Sequence, residues 1–170
     1  MKRAVVILCM DIGLAALLMP LAIPNRVHLV YNPSYSVPRG WYRIGPADSL
    51  QVGSIVLARL PAQAAALAAQ RGYLPAGIPL LKRIGAVAPQ WVCVDGASLR
   101  IDNVAVATVM GADGHGRPLS AWQQCRGLAH GELFLLSNTN PASFDSRYFG
   151  PIRASDVIGR AQPIWTWSTP

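Results

Sequence analysis

The chain opens on one hydrophobic pattern and then changes to another. Lys2-Arg3 precede an apolar run from Ala4 to Ile23, interrupted by a single charge, Asp11. As a helix this run measures about 30 Å, the thickness of a bilayer core. Asp11 costs about 2.5–3.5 kcal/mol at the centre of a span, which the surrounding Leu, Val and Ile offset. A positive start ahead of an apolar core describes either a cleavable signal peptide or a retained signal anchor. A buried core helix is the remaining alternative. Pro20-Leu21-Ala22-Ile23-Pro24 makes a poor cleavage site, so the expectation is an anchor over 1–25, its positive end kept inside and 26–170 exported.

After Arg26 the period shortens to that of strands and turns. Val27–Tyr31, Gly40–Ile44 and Ser54–Leu60 read as strands, the first closed by the turn signal Asn32-Pro33. The stretch from Pro61 to Arg71 is rich in alanine and predicts a helix, with Pro61 in its first turn and Gly72 as its stop. Leu80–Val87, Trp91–Asp95, Ser98–Ile101 and Val104–Met110 follow as strands, with Asp95-Gly96 and Asp102-Asn103 as hairpin turns. Gly111–Arg117 is a glycine-rich loop. Glu132–Ser137 reads as the last clear strand, ahead of a polar loop from Asn138 to Ser146.

Composition narrows the class. Apolar residues make up 52% of the chain and charged ones 14%, which argues against a disordered chain and a highly charged cytosolic protein. Fifteen glycines and 14 prolines in 170 residues favour short strands joined by turns over a helical bundle. The net charge of +7 comes from 15 basic and 8 acidic residues, and the arginines scatter from Arg3 to Arg160. A nucleic-acid reader clusters such charges with aromatics on one segment, so no nucleic-acid partner is expected. Attraction to an anionic membrane surface is the simpler reading. No phosphate loop or dinucleotide fingerprint occurs, and no cofactor is expected.

Cys9 lies in the apolar run, whereas Cys93 and Cys125 lie in the exported part. An exported pair reads as a disulfide, worth roughly 3–4 kcal/mol in the chain-entropy model. Two buried free thiols are the alternative. His115 and His130 form no ligand spacing with them, so no metal site is expected.

Lys82 stands out as the only lysine after Lys2, in a chain that otherwise carries its positive charge on arginine. Its neighbours Ile78, Leu80, Leu81 and Ile84 are aliphatic. A lysine desolvated among such residues becomes a neutral general base, a role closed to arginine. A strand-edge lysine with its stem packed and its head in water is the other reading. A nucleophile for such a base lies in the segment from Asn32 to Tyr42, which sets Ser34 and Ser36 two apart in a loop fixed by Pro33, Pro38 and Gly40. A hydroxyl two residues before the nucleophile is spaced to donate to an oxyanion. An ordinary serine-rich turn accounts for the same residues. His28, His115 and His130 lack the local context of a triad.

Three separated segments together resemble type I signal peptidases, and specifically their TraF-like relatives from conjugative transfer. They are Asn32-x-Ser34-x-Ser36-x-Pro38-x-Gly40-x-Tyr42, then Leu81-Lys82-Arg83-Ile84, then Ser143-Phe144-Asp145-Ser146-Arg147-Tyr148-Phe149-Gly150-Pro151. With the N-terminal run, the resemblance covers essentially the whole chain. It implies a mainly β, antiparallel signal-peptidase-like fold with one short helix, and a small β subdomain at 88–131. It implies Ser36 as nucleophile, Lys82 as general base, and Ser34 with the Ser36 amide as oxyanion donors. Ser143 would orient the lysine, and Asp145 and Arg147 would form a buried supporting pair.

The sequence departs from general signal peptidases in having Pro38 two residues after Ser36, Val37 in place of Met, and Ser137-Asn138-Thr139-Asn140 ahead of the last box. The resemblance therefore implies an inner-membrane endopeptidase with a periplasmic catalytic domain. It would mature an exported substrate, pilin above all, and join its ends into a ring if an amine displaces water. Components of a conjugative transfer apparatus would be its partners. A general signal peptidase and a catalytically silent secretion subunit are the alternatives. Retention of both Ser36 and Lys82 counts against the silent subunit.

Overall fold

The computed structural model describes residues 2–22 and 28–167. Helix α1 runs Lys2–Ala22. Described side chains along it, such as Val5, Leu8 and Ile12, are exposed. Among the described residues no helix is long and apolar enough to cross a membrane. The expected anchor draws on Ile23 and Pro24, which lie outside the described residues, as does Val27 of the first expected strand.

The rest is built on β1 (His28–Asn32), β2 (Arg39–Gly45), β3 (Ile55–Ala58), α2 (Ala62–Arg71), β4 (Leu80–Val87), β5 (Trp91–Asp95), β6 (Ser98–Ile101), β7 (Val104–Thr108), β8 (Cys125–Gly127), β9 (Glu132–Leu136), α3 (Ser146–Phe149), β10 (Ile152–Arg153) and β11 (Val157–Trp167). Seven strands form one sheet in the order β1-β2-β11-β3-β4-β9-β10, and four form a second in the order β7-β6-β5-β8. Every pairing is antiparallel, so the fold is mainly β as expected.

Alternation explains which faces meet. Strand β5 buries Val92 and Val94 and strand β6 buries Leu99 and Ile101, while the residues between them are partly or fully exposed. Those four pack in one cluster with Ala86, Phe134 and Leu136 of the larger sheet. Two further clusters line the larger sheet, one around Tyr42, Ile44 and Leu57, the other around Val56, Ile84 and Leu135.

Three local expectations change. Pro61 sits one residue ahead of α2, as its extended N-cap, while Gly72 closes the helix in the left-handed region at φ 72°. The stretch read as loop through Ser146 ends in a one-turn helix, α3, capped by the Asp145 carboxylate. Glu132–Ser137 is not the last strand: β11 lies between β2 and β3, inside the sheet. Its pattern escapes a period-2 reading because the register shifts at Val157/Gly159 and again at Pro163/Trp165. Glycine and proline within a strand mark such irregularities.

Cys93 and Cys125 are direct cross-strand partners on β5 and β8, and their sulfurs are bonded. Thiol titration of the denatured, unreduced protein should therefore find Cys9 alone. Three titratable thiols would overturn the pairing.

Candidate active site

Asn32, the last residue of β1, organises the loop that carries Ser34 and Ser36. It is buried, and its Oδ1 accepts from the Ser34 amide at 3.1 Å and from the Ser34 hydroxyl at 2.8 Å. This is the Asx geometry that suits asparagine to turns. Its Nδ2 donates to the carbonyls of Ser34, Val37 and Pro38 at 3.0–3.1 Å. Tyr42 adds a bond to the Pro38 carbonyl at 2.6 Å. From across the fold, Thr139 Oγ1 donates to the Tyr35 carbonyl at 3.1 Å and Ser137 Oγ to the Ser36 carbonyl at 3.0 Å. Every carbonyl from Ser34 to Pro38 thus accepts a side-chain hydrogen bond. Gly40, the second residue of β2, lies at φ 142°, where a Cβ would lie 2.2 Å from the Trp165 carbonyl oxygen, so only glycine fits the crossing.

The buried Ser36 hydroxyl lies 2.9 Å from Ser34 Oγ and 3.5 Å from the carbonyl of Leu81, the residue before Lys82. Lys82 sits on β4 with its side chain turned into the protein, 3% exposed. Its amine donates to Ser143 Oγ. Burial pushes the amine down from 10.5 to about 8. The Asp145 carboxylate pulls the other way and the Arg147 guanidinium pushes in the same direction as burial. Desolvation wins, and the lysine becomes a base that is substantially neutral in mildly alkaline water.

Asp145 and Arg147 form a fully buried, two-pronged ion pair, Nε to Oδ1 at 2.8 Å and Nη2 to Oδ2 at 2.8 Å. Asp145 also accepts from the Ser137 amide at 3.0 Å. Arg147 donates to the carbonyls of Ser143, Pro141 and, on β7, Thr108 at 2.8–3.0 Å. The pair therefore sets the shape of the segment from Ser137 to Arg147. That segment touches the loop of Ser34 and Ser36 through Ser137 and Thr139, and the lysine through Ser143.

The sequence-derived residues fall into two groups. Ser34, Ser36, Lys82, Ser143, Asp145 and Arg147 share this one network. The Cys93–Cys125 pair belongs to the second sheet and lies outside it. His115 and His130 are exposed and make no side-chain hydrogen bond to a serine. Sequence reasoning missed the parts played by Asn32, Ser137 and Thr139. Asn32 left a signal in the Asn32-Pro33 turn. Ser137 and Thr139 left only a departure from a general pattern.

The arrangement has a hydroxyl and backbone N–H groups on one pinned loop and a neutralisable amine on β4. These are the parts needed for acyl transfer.

Comparison with known proteins follows the same lines. The family described as signal peptidase, peptidase S26, matches residues 1–167. The probable conjugal transfer protein TraF of Sinorhizobium fredii is 37% identical over 147 residues, covering 81% of this chain and 77% of that protein. The plasmid transfer protein TraF of Escherichia coli is 33% identical over 147 residues, covering 80% and 82%. The conjugal transfer protein TraF of Agrobacterium tumefaciens is 30% identical over 175 residues, covering 98% and 97%. Among solved structures, a signal peptidase I from Enterococcus faecalis aligns at TM-score 0.39 and 21% identity, over 65% of this chain and 94% of that one.

Proposed function

The chain belongs to the signal peptidase family, peptidase S26, and from that membership we propose a membrane-associated serine endopeptidase that works through a Ser36–Lys82 dyad. Its substrate is an exported protein of a conjugative transfer apparatus, the pilin precursor first among them. The observation that carries the reading is Lys82. A buried amine lowered to about 8 and held by a serine hydroxyl suits proton transfer and serves no purpose as a surface charge.

In this reading Ser36 Oγ attacks the scissile carbonyl carbon and its proton passes to the Lys82 amine. The new oxyanion accepts from the Ser36 amide and from the Ser34 hydroxyl, once that hydroxyl turns from Asn32. The tetrahedral adduct collapses, the carbon–nitrogen bond breaks, and the ammonium of Lys82 returns the proton to the departing amine. Water, or the substrate's own amino terminus, then attacks the acyl–Ser36 ester. The first gives a linear product and the second a ring.

The apolar run from Ala4 to Ile23, rather than its described part α1 alone, would anchor the chain in the inner membrane, its start in the cytoplasm and the catalytic part in the periplasm. One end of the larger sheet supports that placement. Tyr31, Trp41, Trp165 and Trp167 are all exposed, Trp165 by 70%, and they cluster with ring centroids 5.3–6.3 Å apart. Amphipathic rings of this kind favour a headgroup interface. The cluster borders the nucleophile loop, because Tyr31 directly precedes Asn32 and Trp41 directly follows Gly40.

Co-expression with the pilin precursor of the same transfer system tests the proposal by intact mass. Membranes holding the wild-type chain should convert the precursor to a shorter product. A ring is lighter than the linear product by one water. A precursor left whole by the wild-type chain would refute the substrate assignment.

A further inference from the structure

Resting on the Ser36–Lys82 reading, we infer that Thr139 is a positioning residue that aims the oxyanion donor. The argument turns on a single peptide plane. The Tyr35 carbonyl and the Ser36 N–H belong to the same peptide unit. The described residues contain one cis bond, Ala88-Pro89, so this unit is trans. In a trans peptide the carbonyl and the N–H point in opposite directions. Fixing one fixes the other.

Thr139 Oγ1 takes hold of the Tyr35 carbonyl at 3.1 Å. The Ser36 N–H is therefore turned away from the segment that carries Thr139. On the next plane, Ser137 holds the Ser36 carbonyl at 3.0 Å, so the Tyr35–Ser36–Val37 backbone is fixed on both sides of the nucleophile. A hydrogen bond to the carbonyl also polarises the amide and strengthens its N–H as a donor.

The amide matters more here because Ser34 is engaged elsewhere. The hydroxyl of Ser34 lies 2.8 Å from Asn32 Oδ1, with Asn32 the only acceptor of that pair. Ser34 must break that bond before it serves an oxyanion, whereas the Ser36 amide needs no rearrangement. Preorganisation of that kind is the source of oxyanion stabilisation. Thr139 is itself exposed and lies outside the buried clusters, so loss of its hydroxyl opens no cavity.

The test uses the full chain in detergent, a fluorogenic peptide with Ala-x-Ala before the scissile bond, and the matching peptide boronic acid. The boronate forms a tetrahedral adduct on Ser36 that imitates the oxyanion. Thr139→Val keeps the shape and removes the hydroxyl. It should lower kcat and weaken boronate affinity by the same factor, about 10-fold, short of the loss expected when a donor is deleted outright. KM should stay within about twofold, and Thr139→Ser should restore both values. Wild-type kcat and boronate affinity in Thr139→Val would overturn the inference, as would a loss that Thr139→Ser fails to restore. A wild-type chain that neither cleaves the peptide nor carries the boronate on Ser36 would remove the dyad reading, and this inference with it.

Discussion

Ser36→Ala and Lys82→Met each stop processing, with rates expected to fall on the order of 10⁴-fold or more, since nucleophile and base act as one unit. Lys82→Arg should fail equally. A guanidinium stays protonated and has no lone pair to accept the serine proton. The wild-type rate should rise with pH through a midpoint at about 8, the value to which burial lowers the Lys82 amine. The active form is the neutral amine, so activity is lost as pH falls below that midpoint. A histidine base would titrate near 6.5 instead.

Stability should respond in the opposite sense to the same replacement. The folded value lies below the unfolded one, so between about 8 and 10.5 the unfolded chain holds the extra proton. Lys82 is then least costly to the fold above that window, and its full burden is felt below it. The gap corresponds to roughly 3 kcal/mol. Lys82→Met, inactive, should therefore be more stable than wild type at neutral pH. Processing by Lys82→Arg at even a tenth of the wild-type rate would sink the general-base assignment.

Asp145→Ala should give the largest loss of stability. Both members of the pair with Arg147 are inaccessible to water. Removing one partner of a buried pair destabilises by about 3–5 kcal/mol, because the other charge is left without compensation. Arg147→Ala should be comparably severe, leaving the carbonyls of Thr108, Pro141 and Ser143 without their donor. Denaturant unfolding of either variant would measure it, and a change below 1 kcal/mol would show that the pair is replaceable by water. Asp145→Ala should also lose activity beyond its instability. The segment it shapes holds Ser143 against the lysine and Ser137 against the loop of Ser34 and Ser36.

What was legible in the sequence divides by the range of the interaction. The alanine helix, the strand around Lys82 and the turn at Asp102-Asn103 are local matters of propensity and turn chemistry, and they read correctly, while the turn expected at Asp95-Gly96 falls one residue later, at Gly96-Ala97, because Asp95 pairs with Ser98. Strand β11 did not, because Gly159 and Pro163 break its alternation and only the flanking strands force it into the sheet. The residues proposed to react were singled out from three boxes taken in order, with the lone lysine as a physical hint, and the structure gathers them into one network. The hold of Thr139 on Tyr35 spans 104 residues. No window of sequence displays it, since it depends on where the loop after β9 comes to rest. Asn32 lay closer to view, as an asparagine before proline, yet its three carbonyl contacts depend on the final path of the loop.

The position of β11 carries a consequence for timing. Ser36 precedes β2 and Lys82 lies on β4, which pairs with β3. Strands β2 and β3 do not pair with each other, and β11 is the strand that joins them. It also follows the other ten described strands in chain order, so it is made after them. The two halves of the proposed site therefore have no sheet in common until β11 has found its place between β2 and β3. Long-range pairing of this kind is the slow part of folding. A chain wired in this way should show no Ser36–Lys82 activity before β11 is seated between β2 and β3.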